Sequence, residues 1–519
     1  MYILIALLIS IVSGSCVAVV KPLDDSMQAF SVALKKDHSW TDIFQQSKNA
    51  VVQIINYGSK YNPFEPYKTP EQQVSAGTGF IINQEGYILT NYHVVDEAMV
   101  LIVQLPQFGR EQFEAVYVGG SYEYDIALIK IVDRDLETIK KQSPNNVLEV
   151  LTLGESDALV EAQPIMIIGY PLGMQSIKAT LGEVSGRQFV ESVELIQTSA
   201  AVNPGNSGGP IFDQKGKVIG LCVAKIVAKG VEGVNFVIPI NRAINLIPHM
   251  REHKVVQPCF WGFVLAPTTP EILAYEKCKL DQGVRICEIL KGSLAEKMGI
   301  AVGDIILSVN GYQIDKYGYI KAPWRNNEKV LLSVLAERIQ LGEQATVVVS
   351  RQGKQLSLST KVVNTHKFGV QRYYPWHTDM PDYEILAGLI LMDLTLNHLE
   401  KMADVIADVE LLTDLFKFQK TENRIQGKVV VNLIPGTPVS RAHVLSPGDI
   451  ITEINGVKVN SVLDVRKALA QTSGQFVTLK TEKGALMALS VRQIVSEEPS
   501  LAKRYSYELS PSYYKLAQL

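Results

Sequence analysis

Gly205-Asn206-Ser207-Gly208-Gly209-Pro210 is the stretch on which the reading of this chain turns. A serine set among glycines can sit in a tight turn, with its Oγ exposed and backbone N–H groups aimed at one point. An oxyanion at that point would be held by the loop Gly205, Asn206 and Ser207, with the N–H groups of Gly205 and Ser207 converging on it. The same spelling, Gly-x-Ser-x-Gly, also marks a nucleophile elbow, in which a helix follows the serine and the acid and histidine come later. Here Ser207 is followed by Ile211-Phe212-Asp213-Gln214-Lys215-Gly216-Lys217-Val218, which reads strand–turn–strand. The best histidine and aspartate both precede the serine, so the elbow reading fails.

That histidine is His93, in Leu89-Thr90-Asn91-Tyr92-His93-Val94-Val95, just after a short apolar run at 87–89. The aspartate is Asp125, heading Asp125-Ile126-Ala127-Leu128-Ile129-Lys130-Ile131. Alone, the first would more often be structural and the second a turn residue. Together they give the order His, Asp, Ser, which is that of chymotrypsin-like proteases. From residue 77 to about 239 the chain is a series of short apolar runs broken by Gly, Asn and Asp (80–82, 87–89, 100–105, 126–131, 165–168, 218–223 and 234–238). This spacing predicts an all-β barrel or sandwich. A short helix entering a strand is expected over 39–55 and a polar surface loop over 57–75. A helix with Ile244, Leu246 and Ile247 on one side is expected over 240–254.

The second half repeats itself. Val302-Gly303-Asp304-Ile305-Ile306 and Val309-Asn310-Gly311 reappear as Pro447-Gly448-Asp449-Ile450-Ile451 and Ile454-Asn455-Gly456, 145 positions later. So long a period means two copies of a domain of roughly 100 residues rather than a solenoid. Each Asn-Gly between apolar runs predicts a tight hairpin at positive φ. A helical insertion, with Leu399, Met402, Val405, Ile406 and Val409 on its apolar face, is expected over 396–418.

Five blocks place residues 77–240 in resemblance to the protease domain of the HtrA/Deg family. They are Gly77-Thr78-Gly79-Phe80-Ile81-Ile82, Thr90 through Val95, Asp125-Ile126-Ala127-Leu128, Gln197 through Pro210, and Val234-Asn235-Phe236-Val237-Ile238-Pro239. The repeats resemble PDZ domains, and Pro323-Trp324-Arg325-Asn326-Asn327-Glu328 and Tyr383-Glu384-Ile385-Leu386-Ala387-Gly388 look most like the two-PDZ, plant-type branch. The resemblance implies a mainly β chain: a chymotrypsin-like double β-barrel over 39–255, then two PDZ (α+β) domains over 256–364 and 383–495. Residues 365–382 would be a linker and 496–519 a C-terminal tail. It further implies a serine endopeptidase acting on unfolded or damaged proteins without ATP, metal or other cofactor, with a triad of His93, Asp125 and Ser207. Val202 and the stretch 221–226, Leu221 and Val223 included, would line a pocket for a small or medium apolar residue. Trp261, Gly262, Phe263 and Val264 would form the first PDZ loop for a peptide C-terminus, and the matching stretch of the second is Leu386-Ala387-Gly388-Leu389-Ile390. Asn206 stands where digestive proteases carry the aspartate that pairs with a new N-terminus, which points away from zymogen cleavage and toward control by PDZ engagement and assembly, usually on trimers. A holdase or PDZ adaptor that does not need its protease site is the alternative in a different class.

Composition narrows the setting. Of 519 residues, 47% are hydrophobic and 20% charged, and the net charge of −3 comes with no long basic run, so a nucleic-acid partner is not expected. Residues 1–20 are almost wholly apolar and end before Lys21, which suits a cleaved signal peptide or a retained membrane anchor, and export to a periplasm or cell envelope. Beyond Cys16, Cys222, Cys259, Cys278 and Cys287 allow three pairings; Cys222 and Cys287 lie in apolar runs and read as small buried hydrophobes.

Overall fold

The computed structural model describes residues 39–174, 176–190, 193–223, 235–363, 370–375, 377, 381–405 and 427–518. The apolar segment 1–20, Val234 and the insertion beyond residue 405 lie outside them. Helix α1 (Trp40–Ser47) starts at Ser39, whose hydroxyl accepts from Asp42 N, and buries Ile43. Strands β1 (Val51–Lys60), β2 (Glu71–Ile81), β3 (Tyr87–Thr90), β4 (Ala98–Gln104), β5 (Phe113–Ser121) and β6 (Ile126–Ile131) close a barrel in the order β1-β2-β3-β6-β5-β4. Helix α2 (Tyr92–Val95) lies between β3 and β4, and α3 (Asp133–Gln142) follows β6. A second barrel closes as β10-β11-β12-β9-β8-β7. It is built from β7 (Pro164–Gly169), β8 (Lys178–Val190), β9 (Val193–Thr198), β10 (Pro210–Phe212), β11 (Val218–Val223) and β12 (Asn235–Pro239).

The apolar runs are continuous rather than alternating because both faces of these strands are buried. In β6, Ala127, Ile129 and Ile131 fill the first barrel, while Ile126 and Leu128 face a cluster shared between the barrels. In β7, Ile165 and Ile167 fill the second barrel, while Met166 and Ile168 join the shared cluster. Helix α4 (Ile240–Glu252) covers that cluster with Ile240, Ala243, Leu246 and Met250. Ile244, expected on one side with Leu246 and Ile247, is 37% exposed, because the buried stripe runs through Ile240, Ala243, Leu246 and Met250 and Ile244 falls to the side of it.

The first repeat forms a sheet in the order β13-β14-β15-β19-β20. Its elements are β13 (Phe263–Ala266), α5 (Pro270–Tyr275), β14 (Val284–Ile289), α6 (Leu294–Met298), β15 (Ile305–Val309), β16 (Tyr312–Gln313), β17 (Tyr319–Ala322), β18 (Glu328–Leu331), α7 (Leu332–Arg338), β19 (Gln344–Arg351) and β20 (Lys354–Lys361). The second runs β21 (Tyr383–Leu386), β22 (Leu389–Asp393), α8 (Leu396–Val405), β23 (Val429–Leu433), α9 (Pro438–Arg441), β24 (Ile450–Ile454), β25 (Val457–Lys458), α10 (Val462–Ala470), β26 (Phe476–Thr481) and β27 (Leu486–Ser490). It ends in α11 (Val491–Tyr505) and α12 (Pro511–Leu516), and its sheet order is β21-β22-β23-β24-β26-β27. Asn310 and Gly311 (φ 46° and 84°) and Asn455 and Gly456 (φ 50° and 77°) make the two expected tight hairpins.

Three expectations need correction. The loop over 57–75 is mostly hairpin: β1 and β2 pair out to Lys60 and Glu71, and only the tip is irregular. That tip docks on the second repeat, where His398 Nε2 bonds Pro63 O (2.9 Å) and Asn432 Nδ2 donates to Phe64 O (2.8 Å). The stretch 496–518 is no tail, because α11 extends into it to Tyr505, α12 follows, and Ala502, Tyr507 and Leu516 are buried in the second repeat. Finally, the four described cysteines are free thiols. Cys222 is buried in the second barrel, but Cys287 is exposed, since its side chain lies on the outer face of β14.

Candidate active site

His93 rides on α2, whose position is set from β1: buried Asn56 donates through Nδ2 to Val94 O (3.1 Å) and Asp96 O (2.9 Å). Asp125 closes a tight turn over 122–125 in which its N–H donates to Tyr122 O (3.1 Å). Its backbone is left-handed, at φ 52°, and Asn91 Nδ2 donates to its carbonyl (3.0 Å). The carboxylate thereby meets His93 twice. Oδ1 accepts from the His93 backbone N–H (2.9 Å), and Nδ1 lies 2.8 Å from Oδ2 and 3.0 Å from Oδ1. An ionised carboxylate only accepts, so in this pairing Nδ1 carries the proton and Nε2 is left with its lone pair.

Ser207 comes from the other barrel, in the loop between β9 and β10, and is 5% exposed. Before it, residues 203–206 form a turn with Gly205 at φ 97° and Asn206 N–H donating to Asn203 O (3.0 Å). Asn206 N–H is therefore already used, and the candidate oxyanion donors narrow to Gly205 and Ser207. The Pro204 carbonyl accepts from Leu172 N (2.6 Å), which holds that peptide unit in one orientation; among the described residues none accepts from Gly205 N–H. Gly208 has to be glycine: its φ is 80°, and a Cβ there would collide with Thr78 O and Thr90 Oγ1.

Thr78, named in sequence only as part of a block, joins the two barrels at this point. Its N–H donates to Ser207 O (2.9 Å), its hydroxyl to Gly205 O (2.7 Å), and its carbonyl accepts from Thr90 Oγ1 (2.7 Å). Tyr170 N–H donates to the same hydroxyl (3.0 Å). Thr90 stands three residues before His93, so one fully buried threonine links the serine turn to the strand that presents the histidine. Its glycine neighbours, Gly77 and Gly79, were the only sequence signal of close packing here.

The pocket residues separate. Val202 is half-buried against the core of the second barrel. Leu221 is 0% exposed, pairs with Pro210 and Ile238, and points into the cluster between the barrels, so it lines no accessible pocket. Val223 ends β11, and residues 224–234 lie outside those described.

In the first repeat Trp261 and Gly262 lead into β13, which begins with Phe263 and Val264 and, among the described residues, pairs with β14 alone. The carbonyls of Phe260, Trp261 and Gly262 accept from Leu294, Ala295 and Leu290, and among the described residues none accepts from Trp261 or Gly262 N–H. The matching stretch 386–390 in the second repeat differs. Ala387 and Gly388 form a two-residue hairpin that folds β21 back along β22, and Ala387 N–H donates to Glu498 Oε2 (2.6 Å). Burial raises the pKa of Glu498, opposed by its bonds from Ala387 N–H and the Tyr507 hydroxyl.

Comparison with known proteins finds a trypsin-like peptidase domain over residues 77–221 and PDZ domains over 250–327 and 375–512. A relative from Marinomonas sp. is 30% identical over 415 residues, 78% of this chain and 76% of its own. One from Chlamydia muridarum is 29% identical over 432 residues, 81% of this chain and 75% of its own. Both carry the name "Probable periplasmic serine endoprotease DegP-like". A solved structure, the HtrA-type protease AlgW with a decapeptide, is 26% identical, with a TM-score of 0.47, covering 63% of this chain and 98% of that one.

Proposed function

The chain belongs to the HtrA/DegP family of serine endoproteases, and on that premise we propose that it cuts unfolded or damaged proteins with His93, Asp125 and Ser207 as its triad. The observation that supports this is the His93–Asp125 pair together with the tie, through Thr90 and Thr78, between the strand before His93 and the glycine-bounded serine turn. Ser207 Oγ attacks the scissile carbonyl while His93 Nε2 takes its proton and later gives it to the leaving amine. Asp125 fixes the imidazole tautomer and stabilises the imidazolium. Gly205 and Ser207 N–H groups stabilise the tetrahedral oxyanion. Val202 and Val223 would stand at the pocket for an apolar residue before the cut.

The open edge of β13 and the free N–H groups of Trp261 and Gly262 support capture of an extended peptide with a free C-terminus by the first PDZ domain. A periplasmic location and an oligomer built on trimers belong to the same reading. The location draws on the relatives' names; no described helix is long and apolar enough to cross a membrane.

Incubation with an unfolded protein such as casein tests the reading. The full chain is expected to cleave it, and Ser207→Ala to lose turnover by on the order of a million-fold. Equal cleavage by both would refute it. Suppression of client aggregation by both, without cleavage, would move the protein to the holdase or adaptor class.

A further inference from the structure

The turn that carries Asp125 is held by the segment between the PDZ domains and, on another side, by helix α4 of the protease domain. Tyr122 is covered by Arg372, whose guanidinium carbon lies 3.6 Å from the ring centre. Arg372 is in turn gripped by both carboxylate oxygens of Glu400 on α8, one of them at 2.9 Å, and its side chain is 9% exposed. Beyond it, the Tyr122 ring meets Tyr92 edge-on at 5.7 Å, and Tyr92 is the buried residue immediately before His93. Glu123 accepts from the Tyr374 hydroxyl (3.0 Å), which also accepts from Gln257 Nε2 (3.1 Å). Tyr374 is 4% exposed and packs on the core of the first barrel, so this part of the segment between the PDZ domains is no free tether. On the opposite flank the Tyr124 ring lies 5.1 Å from the Arg242 guanidinium, which donates to Glu337 of α7 (2.6 Å).

We propose that Arg372 and Tyr374, in the segment joining the two PDZ domains, are positioning residues for catalysis: they hold the turn over 122–125, and through it the orientation of Asp125 toward His93. The inference rests on the triad reading above. Asp125 sits in a left-handed conformation that a non-glycine residue keeps only when its surroundings enforce it. Asp125 is held directly by the turn bond to Tyr122 O and by Asn91, and the turn itself is anchored through the side chains of Tyr122 and Glu123, both of which meet the inter-PDZ segment. A displacement of the turn by a fraction of an ångström would loosen the two contacts of the Asp125 carboxylate with His93 Nδ1 without unfolding either barrel. The second PDZ domain, through Glu400, is thereby coupled to the acid of the triad.

The test uses the full chain and a short unstructured peptide substrate ending in a carboxamide, so that PDZ capture contributes nothing. Arg372→Ala is expected to lower kcat roughly tenfold with KM unchanged. The acidic limb of its pH–kcat profile should move to lower pH, because an imidazolium less well held by Asp125 gives up its proton more readily. Tyr374→Phe, which removes one hydroxyl, is expected to shift the same limb with a loss of about threefold, and it carries the test if Arg372→Ala does not fold. Parent kcat in both variants overturns the proposal. So does a fall in kcat with the limb unmoved, which marks general destabilisation. Ser207→Ala is assayed beside them: if it still cuts, the triad reading has failed rather than the positioning one.

Discussion

Among the described residues, the strand after the glycine loop of the first PDZ domain, β13, bonds to β14 alone, whereas its counterpart in the second, β22, lies between β21 and β23. The two loops are equivalent in detail. Gly262 O accepts from Leu290 N and Gly388 O from Ile434 N, and a Cβ on either glycine would press on the residue capping the next helix, Ser293 or Thr437. What differs is what occupies them. In the second domain β21 fills the edge that strand addition would use, and the Glu498 carboxylate takes the N–H of Ala387. The helices diverge in parallel. In the first, α7 is tied outward to the protease domain through Glu337–Arg242 and Arg338–Asp157 (2.6 and 2.7 Å). In the second, α10 is tied inward, where Arg466 holds Asp382, Glu384 and the Tyr383 carbonyl. One fold thus leaves a strand edge open beside the protease domain in one copy and fills that edge from within in the other; fold alone does not set function.

The contrast can be broken most forcefully at Arg466. Glu384 is 0% exposed and has Arg466 as its ion-pair partner, so Arg466→Ala leaves a buried charge uncompensated. The second PDZ domain is expected to lose about 3–5 kcal/mol, read from its urea unfolding midpoint, while peptide affinity of the first stays at the parent value. An unchanged midpoint would mean that β21 is not held as described.

Peptide titration asks the same question from the other side. Ser207→Ala protein should take up one peptide with a free apolar C-terminus per chain, by calorimetry. Replacing that carboxylate by a carboxamide should weaken binding roughly a hundredfold, as two charge-assisted hydrogen bonds are lost. Two sites per chain would show that β21 and Glu498 yield to ligand.

The smallest effect concerns the joint between the hairpin tip of the protease domain and the second PDZ domain. His398 is buried there, with Nδ1 accepting from Thr395 N–H (3.1 Å) and Nε2 donating to Pro63 O, and burial pushes its pKa down to about 4. The unfolded chain binds a proton near pH 6.5 and the folded one does not, so stability falls as pH drops from 6.5 toward 4. A loss of about 1 kcal/mol is expected by pH 5.5. His398→Gln should flatten the dependence of the melting temperature on pH over that range; an identical slope in both proteins would reject the assignment.

The three candidate catalytic residues and the duplicated domain could be picked out because each is spelled locally: Ser207 among glycines, His93 and Asp125 beside apolar strands, Asn-Gly at two hairpins. The contacts of Thr78, Arg372 and Glu498 could not, because each joins residues distant in sequence, and an isolated hydroxyl, guanidinium or carboxylate carries no mark of its partner. The same limit explains the misplaced Leu221. A strand buried on both faces has no alternation, so its sequence does not say which side faces a pocket and which faces the neighbouring barrel.

The claim on which the account depends is that Ser207 is activated by His93 across the barrel interface. Labelling of the full chain with a fluorophosphonate, followed by peptide mapping in a mass spectrometer, measures this directly, since only an activated serine reacts at an appreciable rate. The expected result is a single adduct on Ser207 that disappears in His93→Ala protein of unchanged melting temperature. An adduct on a different serine, or one on Ser207 that survives loss of His93, would contradict it.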